Sequence, residues 1–394
     1  MEWGLAVLMN NKWGFCAENL VNFTQKLIQI PSLSTQEQEI AKAVAGEMKK
    51  LNYDEVYIDE KNNVVGTIKG VGGGPTLLFN GHIDHAGVGN MKEPFSGKIL
   101  DGTKYGHPGP VIYGRGASDM KAAIAAMVYA AGAIKEQGIS LRGDVLVTAV
   151  AMEEMAYGEG ISYLLDNGLR ADFAVSGEAT NLNVYVGHRG KIEFKIITKG
   201  KTSHAGFPAG GVNAIFLMNK FLNKLQEKYS LPNHQFLGKA SYTVIDIAAS
   251  PGRLTPIVPD HCEIILDRRF LPEETPEMLA EHIWKIIGEV KNEDPLFDAD
   301  VELVKVFPAM LTDPGGKIVT AVKEARRMVM GDEGEIGAWY FGVDGTFIER
   351  AGIPCAGFGP GNEHYAHTPE DHVPVDHVVT AAKVYSQLII KLCC

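Results

Sequence analysis

Four short clusters of acids and histidine stand where an apolar run has just ended: His82-Ile83-Asp84, Ser118-Asp119-Met120-Lys121, Glu153-Glu154 and Ser176-Gly177-Glu178. A further histidine, His367, follows the turn Gly359-Pro360-Gly361. An isolated acid after a strand is usually a helix cap or a solvated turn. Glu153-Glu154 resists that reading, because two adjacent carboxylates directly after the apolar run Val145–Met152 are costly to bury unless a cation or a proton compensates them. Imidazole and carboxylate without thiolate suit Zn²⁺, Co²⁺ or Mn²⁺ better than Ca²⁺ or Mg²⁺, with zinc the default. Two such ions sharing one aspartate would neutralise the crevice and keep a position open for water, as hydrolysis requires. Asp84 is placed to accept the second N–H of His82 and fix its tautomer. One glutamate of the pair is left over as a base.

These clusters converge only if their strands lie side by side. Val56–Ile58, Val64–Ile68, Thr76–Phe79, Asp144–Met152 and Phe173–Ser176 read as strands, the middle ones continuously apolar as in a sheet covered on both faces. Ser34-Thr35-Gln36-Glu37 has the form of a capping box before a helix to Lys50, and Met120–Lys135 reads as a buried helix. This order predicts an α/β fold, a doubly wound and mainly parallel sheet whose strand ends form the ligand crevice. Near Gly187 the texture changes to β-α-β-β-α with a further strand near Val301–Val306, a two-layer α+β module inserted into the first domain. The expected boundaries are 1–186 and 307–394 for the catalytic domain and 187–306 for the insert. At 394 residues two domains are the expectation.

The motifs Gly81-His82-Ile83-Asp84, Gly116-Ala117-Ser118-Asp119-Met120-Lys121, Glu153-Glu154, Gly177-Glu178, Ser203-His204-Ala205-Gly206 and Ala366-His367-Thr368-Pro369-Glu370 occur in the order of a known family. The chain resembles the di-zinc hydrolases related to acetylornithine deacetylase, succinyl-diaminopimelate desuccinylase and carboxypeptidase G, within their deacetylase-like group, some members of which are linked to selenium metabolism. The resemblance implies that Asp119 bridges two metal ions, one also held by His82 and Glu178 and the other by Glu154 and His367. It makes Glu153 the general acid/base, has Asp84 orient His82, and has His204 of the insert polarise the scissile carbonyl. Arg269 of Asp267-Arg268-Arg269 matches an arginine that binds substrate carboxylate. Asn213 fits a motif that contacts substrate or caps its helix. Family members often carry Glu four residues past the last metal histidine; here that position is Asp371, leaving its role unassigned.

The expected activity is hydrolysis of the amide bond of a small N-acyl amino acid, with a dipeptidase or aminopeptidase on short peptides as the alternative. An inactive binding paralogue would lack a ligand or Glu153, and none is missing. A homodimer formed through the insert is expected, with Lys191–Thr198 as the strand suited to edge pairing. Against 37 Lys and Arg stand 48 Asp and Glu, a net charge of −11, so nucleic acid and anionic lipid are poor partners. No apolar run is long enough for a membrane helix. The opening Met1–Met9 lacks the positive charge of a signal peptide and reads as a short extension, and five scattered cysteines fit a reduced cytoplasm. Cys393-Cys394 reads as a solvent-exposed tail. His85, His107, His234, His261, His282, His372 and His377 read as surface or packing residues.

Overall fold

Apolar stripes and runs generate the elements of the first part of the chain. The computed structural model describes residues 13–155, 158–252 and 255–394, so the N-terminal stretch read as an extension lies outside the described residues. Helix α1 (Ala17–Gln29) buries Leu20, Phe23, Leu27 and Ile28, and α2 (Gln38–Lys50) buries Ile40, Val44 and Met48, both at helical spacing. Next come β1 (Glu55–Ile58), β2 (Val64–Ile68), β3 (Leu77–His82), β4 (Lys98–Asp101) and β5 (Pro110–Tyr113). Helix α3 (Ala122–Glu136) is buried from Ala122 to Ile134 on every face, as its Ala-rich sequence allows. It begins two residues later than expected because Asp119 and Met120 take non-helical backbone angles in a turn over Ala117–Lys121. The segment closes with β6 (Val145–Val150), α4 (Glu159–Asp166), β7 (Phe173–Ser176) and β8 (Val184–His188).

The expected capping box does not form. Glu37 occupies the N-cap of α2 without a side-chain cap. Ser34 Oγ instead donates to Asp84 Oδ2 (2.7 Å), and Glu37 Oε1 accepts from the backbone N–H groups of Thr35 (2.8 Å) and Met152 (3.1 Å). Partners brought from distant strand ends outcompete the local cap.

The second compact unit, Arg189–Ala309, contains β9 (Gly190–Lys199), α5 (Ala214–Lys228), β10 (Ser241–Ser250), β11 (His261–Phe270), α6 (Pro276–Glu293) and β12 (Ala299–Phe307). Its antiparallel sheet runs β10-β11-β9-β12. Phe194, Ile196, Ile264 and Leu266 pack with Phe221 and Leu225 of α5 and Ile283 and Ile287 of α6. This corrects the reading of Lys191–Thr198 as an edge strand: it pairs with β11 on one side and β12 on the other. Alternation reports that one face is covered by helices, not that a strand lacks a neighbour. The edges are β10 and β12.

The chain then returns to the first unit, which joins the residues up to His188 with Met310–Cys394, through β13 (Met310–Leu311), α7 (Lys317–Met330), β14 (Ile336–Trp339), α8 (Gly345–Arg350), β15 (Cys355–Gly357), β16 (His372–Pro374) and α9 (Val375–Cys393). The nine-stranded sheet has the order β1-β2-β6-β3-β7-β15-β8-β13, with β14 on β8. Its centre, β6-β3-β7-β15, is parallel and antiparallel strands flank it. The fold is therefore α/β with a mainly parallel central sheet. A small sheet, β16-β5-β4, lies beside it. Cys393 is no exposed tail residue: it is buried, and its carbonyl accepts from the N–H groups of Arg142 and Gly143. All five cysteines are free thiols. No helix among the described residues is long and apolar enough to cross a membrane.

Candidate metal centre

His82 is the last residue of β3, Asp119 follows β5, Glu153 and Glu154 follow β6, Glu178 follows β7, and His367 lies on the loop after β15. The parallel neighbours β6, β3, β7 and β15 end at the same side of their sheet, which gathers His82, Glu153, Glu154, Glu178 and the loop that carries His367, whereas Asp119 comes from the turn after β5 of the small sheet. His82 Nε2 lies 2.8 Å from Asp119 Oδ1 and 3.5 Å from Glu178 Oε1. His367 Nε2 lies 3.1 Å from Asp119 Oδ2 and 2.9 Å from Glu154 Oε2. Asp119 thus stands between two imidazoles, each with a second carboxylate of its own. Glu153 Oε2 is 4.0 Å from His82 Nε2.

The supports are hydrogen bonds from the backbone. Asp84 accepts from Ser34 Oγ and from the N–H groups of Glu153 (3.2 Å) and Glu154 (3.1 Å), so its carboxylate fixes the turn that carries both glutamates. Its link to His82 is mainly through the main chain: Nδ1 is 3.1 Å from the Asp84 carbonyl oxygen and 3.4 Å from Oδ1. Glu154 Oε1 also accepts from Ala86 N–H (2.7 Å). Met152 (φ 60°) and His367 (φ 61°) hold left-handed backbone conformations at the base of the glutamate turn and at the second imidazole. Such conformations cost roughly 1–3 kcal/mol and persist where surrounding contacts impose them.

Electrostatics set the cluster's charged groups against one another. Burial alone would lower the His82 imidazole, but Asp119, Asp84, Glu178 and Glu153 overcome it and hold it well above its ordinary value. Burial likewise works against ionised Asp119, yet His367 and His82 hold it below the usual carboxylate range. Glu153 and Glu178 go the other way: burial first, then neighbouring carboxylates, push both well above the ordinary range. Glu178 Oε2 is buried without a hydrogen-bond partner. Crowded, buried carboxylates, one with an unpartnered oxygen, around two imidazoles are the donor chemistry of a divalent-cation site. Among the described residues His82, Asp119 and Glu154, and likewise His82, Glu153 and Glu178, place donor atoms within 4.8 Å of one another.

Three further residues support or border the cluster without a role assigned from sequence. Asp371 is buried and accepts from Gly116 N–H (2.8 Å), Ser118 N–H (2.9 Å), Ser118 Oγ (2.8 Å) and Arg115 Nη1 (3.2 Å), anchoring the turn that presents Asp119. Burial pushes Asp371 up to about 6. Lys121 is buried beneath the same turn, donates to the Ile30 carbonyl (2.8 Å), and burial pushes it down to about 7. Asp344, buried at the start of α8, is pushed up to about 7 by burial, with Asp84 adding to the rise. The departure from the family pattern at Asp371 and the place of Lys121 in the motif Gly116–Lys121 were the available sequence signals; Asp344 gave none.

The insert residues lie in the other unit. His204 is exposed, and its Nδ1 accepts from Gly206 N–H (3.0 Å). Arg269 Nε donates to Asp267 Oδ1 (2.8 Å), whereas its neighbour Arg268 is buried against Glu274. Asn213 Oδ1 accepts from Ile215 N–H (2.9 Å) as the N-cap of α5.

A parallel-centred α/β sheet with a histidine and carboxylate cluster at its strand ends defines a metallohydrolase. Residues 78–391 match peptidase family M20/M25/M40, and the chain belongs to that family of amide-bond hydrolases. It is 34% identical to the uncharacterized protein YgeY of Escherichia coli K12 over 389 residues, 94% of this chain and 93% of that protein. It is 26% identical to acetylornithine deacetylase of Myxococcus xanthus over 340 residues, 85% of each. In fold it is similar to aminopeptidase PepT of Bacillus cereus, with a TM-score of 0.78, 23% identity, and coverage of 96% of this chain and 99% of that one.

Proposed function

We propose that the chain hydrolyses the amide bond of small N-acyl amino acids with two divalent cations, zinc by donor preference and cobalt or manganese as substitutes. His82, Asp119 and Glu178 would hold one ion, and Asp119, Glu154 and His367 the other. The observation that carries this reading is the Asp119 carboxylate, with one oxygen 2.8 Å from His82 and the other 3.1 Å from His367. When bound, such ions act as Lewis acids toward a carbonyl and lower the pKa of water.

The protein's own groups carry the protons. Glu154 is engaged by Ala86 and His367, which leaves Glu153 as the mobile base. Glu153 takes a proton from the attacking water as the new C–O bond forms, and returns it to the nitrogen as the C–N bond breaks; the second water proton, left on the new carboxylic acid, passes to the amine, giving a carboxylate and an ammonium group. Asp84 keeps Glu153 in place through its backbone. Arg269 holds the substrate carboxylate by parallel charge-assisted hydrogen bonds, and His204 donates to the carbonyl oxygen.

Metal-stripped and zinc-loaded protein, assayed against N-acyl amino acids and against dipeptides with a free amino group, tests this reading. Turnover of the acyl compounds only in the loaded form is expected; full activity after stripping, or turnover of dipeptides alone, overturns it. The exposed edge strand β10, with Val244, Ile245 and Ile247 outward, supports a homodimer paired through the insert. Mixing Glu153→Gln with His204→Ala protein under subunit exchange should restore activity if His204 serves its partner's site.

A further inference from the structure

A second group of metal-competent side chains shares no residue with the Asp119 cluster. His107 follows the turn Gly102–Tyr105, and Asp376 and His377 occupy the first turn of α9. One donor atom from each lies within 4.8 Å of the others. His107 Nε2 stands 3.0 Å from Asp376 Oδ1, and the His107 and His377 rings meet edge to face with centroids 5.6 Å apart. His377 Nδ1 is a buried nitrogen without a hydrogen-bond partner, and the buried His107 Nε2 has the Asp376 carboxylate beside it but no well-directed hydrogen bond. Leaving such a buried nitrogen unsatisfied is expensive, and a second imidazole and a carboxylate beside it point to a common partner. His107 and His377 also line a cavity of about 450 Å³ shared with Tyr105, Tyr365 and His372.

We propose that His107, Asp376 and His377 form a separate site for a divalent transition-metal ion of the zinc type. Two imidazoles and one carboxylate without thiolate select that class over calcium or magnesium. Metal–nitrogen bonds of about 2.0–2.1 Å require the donors to draw together from their present separations. Three protein ligands leave a coordination position facing the cavity. The ion ties the loop before β5 to the start of α9, two segments more than 250 residues apart in sequence that otherwise meet through the small sheet β16-β5-β4.

Zinc counting tests the site. The metal-stripped full chain, and its His107→Gln, His377→Gln and Asp376→Asn variants, are dialysed to equilibrium against zinc and analysed for bound metal, with circular dichroism to verify folding. Each variant should hold one zinc fewer per chain than the unaltered protein, and the His107→Gln/His377→Gln double variant no fewer than either single one. Hydrolytic activity should persist in all of them. Equal zinc content in the unaltered protein and every folded variant overturns the site. Because the readout is a difference, a failure of the Asp119 centre to take up two ions lowers all counts alike and leaves this comparison intact.

Discussion

The strand-end cluster and the candidate substrate groups of the insert are built on opposite principles. Around Asp119 the functional side chains are buried, crowded with like charge and incompletely satisfied: Glu178 Oε2 has no partner, and both Glu153 and Glu178 are forced upward in pKa. In the insert every candidate already has a local partner, His204 with Gly206, Arg269 with Asp267 and Asn213 with Ile215. The first arrangement is pre-organised, with the donor chemistry of a divalent-cation site. The second must exchange an existing hydrogen bond for one to substrate, or is purely structural.

Substitutions can break this contrast, beginning in the cluster. Glu153→Gln should retain both ions while lowering kcat by roughly 10²–10⁴-fold, the value of a positioned acid/base; metal analysis beside steady-state kinetics checks it, and loss of metal with loss of turnover would reassign Glu153 as a ligand. Asp371→Ala should come next. It strands buried Arg115 and two N–H groups, a change worth about 3–5 kcal/mol of stability, read by denaturant unfolding, and metal affinity should fall with it because the Asp119 turn loses its anchor.

The insert should respond less. Arg269→Ala should weaken acyl amino acids by about 10–100-fold in kcat/KM, as expected for a charged hydrogen bond, while leaving the same compounds with an amidated carboxylate nearly unchanged. Equal losses would make Arg269 a partner of Asp267 and nothing more. Asn213→Ala should cost about 1 kcal/mol of stability through loss of the α5 cap, with kinetics unaltered; a kinetic effect larger than the stability effect would move Asn213 into the substrate site.

Much of the cluster was legible because its signals are local. A continuous apolar run followed at once by His82, Glu153-Glu154 or Gly177-Glu178 announces a buried strand with a functional end, and parallel strands bring such ends together whatever lies between them. Charge, cysteine usage and the change of texture near Gly187 are likewise properties of short windows. The capping-box pattern at Ser34–Glu37 was the exception that instructs: its residues matched a local rule, but Asp84 and Met152 claimed them.

The sequence by itself therefore determined the element types, the parallel core and the set of groups at the strand ends, since each follows from burial and backbone preference over a few residues. Tertiary structure alone decided the remainder. Asp371 meets Ser118 across 253 positions, Asp344 becomes a buried acid within the field of His82 and Asp84, Lys191–Thr198 is a central rather than an edge strand, and His107 meets His377 through packing of a loop on a helix. In each case the outcome depends on which neighbour a side chain or strand acquires in space, and hydrophobic periodicity encodes the face that is buried without naming what buries it.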